Sequence, residues 1–129
     1  PRTFLGIQIA GFPNLFTLVG PHNAATFCNI PRCIEQNVEW VSDALAFMQE
    51  RGYTRMAATQ EAEDEWTAHV MESSEKLLLS KTRSWFTGIN PNLPGRQQRK
   101  FLLYAAGAPR YRDRCDEVAA EDYAAFDMR

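Results

Sequence analysis

The chain has 129 residues, 45% of them hydrophobic and 23% charged, enough for one modest domain with a buried core. Fourteen Lys and Arg oppose sixteen Asp and Glu, a formal charge of -2 that offers nucleic acid no general attraction. No apolar run has the length of a bilayer span, no signal-peptide pattern opens the sequence, and three cysteines in that setting point to reduced thiols in a soluble, cytoplasmic protein.

The sequence begins Pro1-Arg2-Thr3-Phe4 without a methionine and enters the alternating segment Leu5 to Ala10, which reads as a strand or ribbon met part-way through a fold. A fragment is therefore expected. Leu15-Phe16-Thr17-Leu18-Val19 is apolar and stops at Gly20-Pro21, so it reads as a buried strand ending at a backbone break. In the loop that follows, His22, Asn23, Thr26, Cys28 and Asn29 supply hydrogen-bonding groups, while Phe27 and Ile30 supply apolar faces. A strand ending beside a helix N-terminus, with that mixture between them, suits a flat and partly polar ring. An ordinary strand-loop-helix connection fits the same residues.

Pro31 introduces the clearest helix, Arg32 to Arg51, ended by Gly52. Ile34, Val38, Val41, Leu45 and Met48 form one apolar stripe, and Trp40, Ala44 and Phe47 widen it, which predicts packing on more than one neighbour. Tyr53 to Ala58 reads as a short extended connector. Thr59 is the expected N-cap of a second helix whose first turns carry Glu61, Glu63, Asp64 and Glu65. Those carboxylates suit the positive end of a helix better than they suit a metal, because no ligand geometry closes around them. Trp66, Val70 and the Leu77-Leu78-Leu79 end should form the buried face. Cys28 and Cys33, five apart, lack the further thiols or well-spaced histidines of a zinc site, since His22 and His69 supply none.

From Ser80 to Lys100 the periodicity disappears. Ser84 to Arg96 holds two prolines, two glycines, two asparagines and Trp85, a long loop of the kind that carries function. Trp85 either anchors this loop on the core or is offered to a ligand. Arg96, Arg99 and Lys100 form a basic rim able to meet a phosphate or water. Phe101 to Tyr104 is a strand-like return. Pro109 starts a last helix on which Tyr111, Cys115, Val118 and Ala119 share a face, and Tyr123 and Phe126 can dock on the core. Cys115 reads as a small core residue rather than a nucleophile, having no histidine near it in sequence. Neither Gly-x-Gly-x-x-Gly nor Gly-x-x-x-x-Gly-Lys occurs, so the sequence has no phosphate-cradling loop. Alone, the chain should be α+β, with two or three short strands, two helices, a long loop, a returning strand and a final helix.

Several motifs occur in a telling order. They are Gly11-Phe12-Pro13-Asn14-Leu15-Phe16, Gly20-Pro21, Asn29-Ile30-Pro31 and Ile34-Glu35-x-x-Val38-Glu39-Trp40, followed by Glu63-x-Glu65-Trp66, Ser84-Trp85-Phe86-x-Gly88, Pro94-Gly95 and Cys115-x-Glu117-Val118-Ala119-Ala120. In this order they resemble the C-terminal part of Baeyer–Villiger monooxygenases, α/β flavoproteins with two dinucleotide-binding domains for FAD and NADPH. One departure is Ala106, where the family more often shows a glycine pair.

The resemblance implies conversion of ketones to esters or lactones with NADPH and dioxygen. It implies that residues 1–52 complete the FAD-binding domain and that 53–129 form a helical segment bearing the cofactor and substrate loop 80–100. Phe27, Cys28, Asn29 and Ile30 would lie beside the flavin, and Trp85 would contact the nicotinamide cofactor. Phe27, Ile30, Phe86 and Leu103 would line the ketone pocket. No catalytic acid, base or nucleophile and no metal ligand is assigned. The remaining N-terminal FAD and NADP domains are the expected partner, with self-association through exposed strands or the Ile34–Met48 helix if they are absent; nucleic acid and membrane are not expected partners. A fragment of a flavin monooxygenase that oxidises amine or sulfide heteroatoms, and a non-catalytic helical interaction module, are the alternatives.

Overall fold

A computed structural model describes residues 1–24, 27–90, 92–95 and 98–129. Thr26 and Arg96, both singled out above, lie outside the described residues. Among the described residues three α-helices carry the fold: α1 (Ile30–Arg51), α2 (Gln60–Ser74) and α3 (Ala108–Ala120). Two three-residue strands, β1 (Met56–Ala58) and β2 (Phe126–Met128), pair antiparallel with Ala57 opposite Asp127. Single-turn 3-10 segments at Leu78–Lys81 and Trp85–Thr87 punctuate the long loop. The α+β expectation holds, with fewer strands and shorter ones.

Local signals place the helix ends. Pro31 sits in the first turn of α1, and Gly52 closes it at φ 71°, its N–H reaching the Gln49 and Met48 carbonyls. Thr59 caps α2 by accepting from the Ala62 N–H at 3.2 Å, with Glu61 and Glu63 in the first turn. Pro109 opens α3. The acidic start of α2 ties down the chain's beginning: Glu63, 5% exposed, accepts from the Ala10 N–H at 2.8 Å, and Asp64 pairs with Arg2. Among the described residues no cluster of His, Cys, Asp and Glu could hold a metal ion.

The opening strands are the first correction. Residues 4–20 form a turn-rich ribbon with only the isolated bridges Phe4 to Gln8 and Gln8 to Phe16. Leu5, Gly6, Gly11, Asn14 and Val19 all have positive φ, which no continuous strand tolerates. Leu15 and Leu18 are exposed rather than buried. What holds the ribbon is side-chain mimicry of a ladder. Gln8, fully buried, accepts from the Ala58 N–H at 2.7 Å and donates to the Met56 carbonyl at 3.1 Å, while the Asn14 side chain accepts from the Met56 N–H at 2.9 Å.

The second correction concerns α1. Its buried face is Cys33, Asn37, Trp40, Ala44 and Met48, whereas Ile34, Val38 and Leu45 of the expected stripe are exposed. The large Trp40 chooses the inner face: its indole donates to the Cys115 carbonyl of α3 at 2.9 Å and meets Tyr123 edge-on at 5.3 Å. α2 also stops early. Leu77 to Leu79 lie beyond its end, and Leu78 is exposed. Phe101 to Tyr104 forms no strand, yet its backbone is hydrogen-bonded on both sides, as described below. Tyr123 and Phe126 enter the core as expected, joined by Phe4, Trp66, Tyr104, Tyr111, Cys115 and Val118.

Candidate functional site

The loop after the ribbon and the Trp85 segment meet across one cavity. Its volume is about 280 Å³, and it is lined by Val19, Gly20, Pro21 and Asn23 on one side and Trp85, Phe86, Leu102 and Leu103 on the other. The backbone of residues 100–104 ties the two walls together. The His22 N–H donates to the Leu102 carbonyl at 2.8 Å and the Tyr104 N–H to the Asn23 carbonyl at 3.1 Å. On the opposite edge, the Leu102 N–H donates to the Phe86 carbonyl at 3.0 Å and the Lys100 N–H to the Thr87 carbonyl at 2.8 Å.

Each wall has its own local cause. At Gly20 a Cβ would come within 2.6 Å of both the Gly6 carbonyl and the Thr17 hydroxyl, so only glycine lets the ribbon close there. The Trp85 turn is organised by buried Thr87, whose hydroxyl accepts from the Ser84 N–H at 3.1 Å and donates toward the Ser84 carbonyl at 2.8 Å. Gly88 ends the turn at φ 69°, with the Lys100 carbonyl 3.2 Å from where a Cβ would stand. Gly107, at φ 91°, carries the positive φ after the Ala105-Ala106 pair, and Ala106 is spared that conformation.

The residues singled out in sequence fall into three places. Trp85, Phe86 and Leu103 line this cavity, with Trp85 78% exposed, so the indole is not an anchor on the core. Cys28 and Asn29 line a separate groove of about 350 Å³ between the beginnings of α1 and α3, with Arg32, Tyr111 and Arg112 on its sides. Phe27 and Ile30 stand about half exposed and line neither. The Cys28 and Cys33 sulfurs are joined as a disulfide at the entrance of α1, contrary to the expectation of three reduced thiols. Their Cα atoms are 7.1 Å apart, a wider span than the ~4.4–6.8 Å of ordinary bridges. Arg99 and Lys100 are exposed.

Sequence reading missed Asn23's partners. Asn37 is fully buried in mid-helix on α1 and Tyr111 is buried on α3; both bond Asn23. A buried asparagine inside an apolar helix face was the available signal. The titratable groups here are held neutral. Burial lowers the His22 pKa to about 4, and burial raises Tyr104 and, much more, Tyr111. Burial likewise pushes the Cys115 thiol up to about 11, which suits a core residue and not a nucleophile.

No family model matches the chain. It is 40% identical to 2-oxo-Δ3-4,5,5-trimethylcyclopentenylacetyl-CoA monooxygenase of Pseudomonas putida, over 99% of this chain and 24% of that protein. It is 38% identical to a phenazine N-monooxygenase of Lysobacter antibioticus, over 98% of this chain and 22% of that protein. A crystal structure of OTEMO in complex with FAD and NADP matches with a TM-score of 0.87 at 39% identity, covering 100% of this chain and 23% of that one. By sequence and by fold, the chain is similar to one part of these monooxygenases. It spans about a quarter of the length of the relatives it matches.

The donor set suits the rings of cofactors such as the FAD and NADP of the matched crystal structure, and not their phosphates. The N-terminus of α1 carries no side-chain cap from Asn29 and no acidic residue in its first turn, so its own sequence leaves the positive end of the helix uncompensated. Trp85 offers an exposed aromatic face on a neutral cavity. For pyrophosphate the sequence has no glycine-rich cradle.

Proposed function

We infer that residues 1–129 are the C-terminal part of an FAD- and NADPH-dependent monooxygenase that converts ketones to esters or lactones. The observation that carries this reading is the cavity shared by the 19–23 loop and the Trp85 turn, in a chain whose relatives are flavin monooxygenases. The cofactors supply hydride and oxygen chemistry when bound. This chain's residues bind, orient and exclude water. In this reading Phe27, Cys28, Asn29 and Ile30 flank the flavin beside the positive end of α1, which favours negative charge there. Trp85 lies against the nicotinamide, and Phe27, Ile30, Phe86 and Leu103 supply the apolar surface for the ketone. Residues 1–52 belong to the FAD side and 53–129 to the segment bearing the 80–100 loop.

The preceding FAD and NADP domains are the natural cover for exposed Leu18, Ile34, Val38 and Leu45; without them, the same surface drives self-association. Among the described residues no helix is long and apolar enough to cross a membrane. A cytoplasmic location belongs to the same reading, since NADPH is drawn from that compartment.

The test uses the polypeptide that includes the sequence upstream of Pro1. Purified, it should be yellow, consume NADPH in the presence of a ketone and release the ester or lactone. A flavin-free protein, or one that ignores every ketone offered, overturns the reading. Similarity to a phenazine N-monooxygenase favours a second reading, oxidation at a heteroatom. Turnover of an aromatic amine or a sulfide, with no ester formed from ketones, would establish it.

A further inference from the structure

The side chains of Asn23, Asn37 and Tyr111 are 3%, 0% and 2% exposed and share one set of hydrogen bonds, to which Gln36 adds an acceptor for Asn37 Nδ2 at 2.9 Å. The Asn23 amide donates to Asn37 Oδ1 at 3.0 Å and to the Tyr111 hydroxyl at 2.7 Å. Asn37 Nδ2 donates to the same hydroxyl at 3.0 Å, and that hydroxyl donates to the Leu5 carbonyl at 2.7 Å. Asn37 Oδ1 also accepts from the Val19 N–H at 3.1 Å. The tyrosine oxygen thus accepts twice and donates once, its full capacity.

Four separate parts of the chain meet at this point: the ribbon through Leu5 and Val19, the loop through Asn23, α1 through Asn37 and α3 through Tyr111. Three buried polar groups would be a costly way to gain stability alone, since apolar residues of similar shape serve as well. Their value lies in direction, because hydrogen bonds fix a relative position that apolar contacts leave free to slide. The position fixed is that of the cavity. Val19 and Asn23 line it, and Asn23 passes the register to Tyr104, whose segment bonds the Trp85 turn through Leu102 and Phe86. Burial keeps the Tyr111 hydroxyl protonated, so the donor to Leu5 persists at any working pH.

We propose that Asn23, Asn37 and Tyr111 form a positioning unit that sets the separation of the 19–23 wall from the Trp85 turn, and through it the seat of the nicotinamide ring. The last clause rests on the proposed function; the separation itself does not. Tyr111→Phe removes one hydroxyl and leaves Leu5 and both amides short of a partner. In the same helix, Val118→Ala removes buried apolar volume without touching the cluster, and serves as the control for stability loss.

The experiment compares both variants in the holoenzyme by amide hydrogen exchange and by NADPH kinetics. Tyr111→Phe should speed exchange at Leu102, Tyr104 and Lys100 by about tenfold, the scale of one lost buried hydrogen bond. It should raise KM for NADPH by about as much while flavin content and kcat change little. Val118→Ala should do neither at those sites, whatever its melting temperature. Should Tyr111→Phe not fold, Asn37→Ala must show the same pattern. Exchange at wild-type rates, or equal changes in both variants, overturns the positioning unit. Faster exchange with no change in KM separates the two claims: the unit then sets the cavity, and the nicotinamide assignment falls. A wild-type enzyme that does not oxidise NADPH overturns the function and the nicotinamide clause, and the exchange data alone then judge the unit.

Discussion

The two walls of the cavity are built differently. On the 19–23 side, buried polar side chains from α1 and α3 reach across to the loop, and His22 and Asn23 are almost wholly enclosed. On the Trp85 side, the turn rests on its own Thr87 and on backbone bonds to residues 100–102, while its largest side chain faces outward. One wall is therefore part of the core and the other is attached to it. A change in the first should register across the core as well as at the cavity, and a change in the second should stay local to its own segment.

That contrast can be broken at four points, from the largest expected effect to the smallest. His22 is held neutral in the fold with a pKa of about 4, below its ordinary 6.5. A depressed folded pKa contributes stability that is complete above pH 6.5 and lost as pH falls toward 4, for a total on the order of 3 kcal/mol. Urea melts across that window should show it for the wild type, and His22→Asn should flatten the slope. Asn37→Ala should cost about 1–3 kcal/mol, since it takes the acceptor from the buried Val19 N–H and one of the acceptors from the Asn23 amide. Chemical denaturation measures the loss, and a cost near zero would place the cluster outside the core after all.

Gly88→Ala should cost about 1–2 kcal/mol, because φ is 69° and the Lys100 carbonyl crowds the new Cβ. Its effect should be confined to exchange of amides 84–102, which would show that this wall yields by itself. Trp85→Ala should change stability by less than about 0.5 kcal/mol. In the complete enzyme it should nonetheless weaken NADPH use and oxygenation while FAD stays bound. Loss of FAD with coupling intact would reverse the assignment of the two walls.

Helix ends were legible because their causes lie within a few residues: Pro31 and Pro109 in first turns, Thr59 as a cap, Gly52 as a left-handed stop. So were the identities of the core aromatics, whose bulk must be buried somewhere. Trp85, Phe86 and Leu103 were named from sequence by their resemblance to a family, and the structure brings them to one cavity. Phe27 and Ile30 were named with them and stand apart from it.

Position in three dimensions decided the rest. Ile34, Val38 and Leu45 have the spacing of a buried stripe, but Trp40 and Asn37 face inward because their hydrogen-bond partners sit on α3, some seventy residues away. Leu15 to Val19 has the composition of a strand, but among the described residues no neighbouring strand offers it a ladder, and Gln8 and Asn14 satisfy β1 instead. Periodicity and composition report how much a segment must bury and at what spacing, so they determined the elements and the core's contents. Which face turns inward, and which two loops share a cavity, depends on contacts between residues far apart in the chain, and only tertiary packing could decide that.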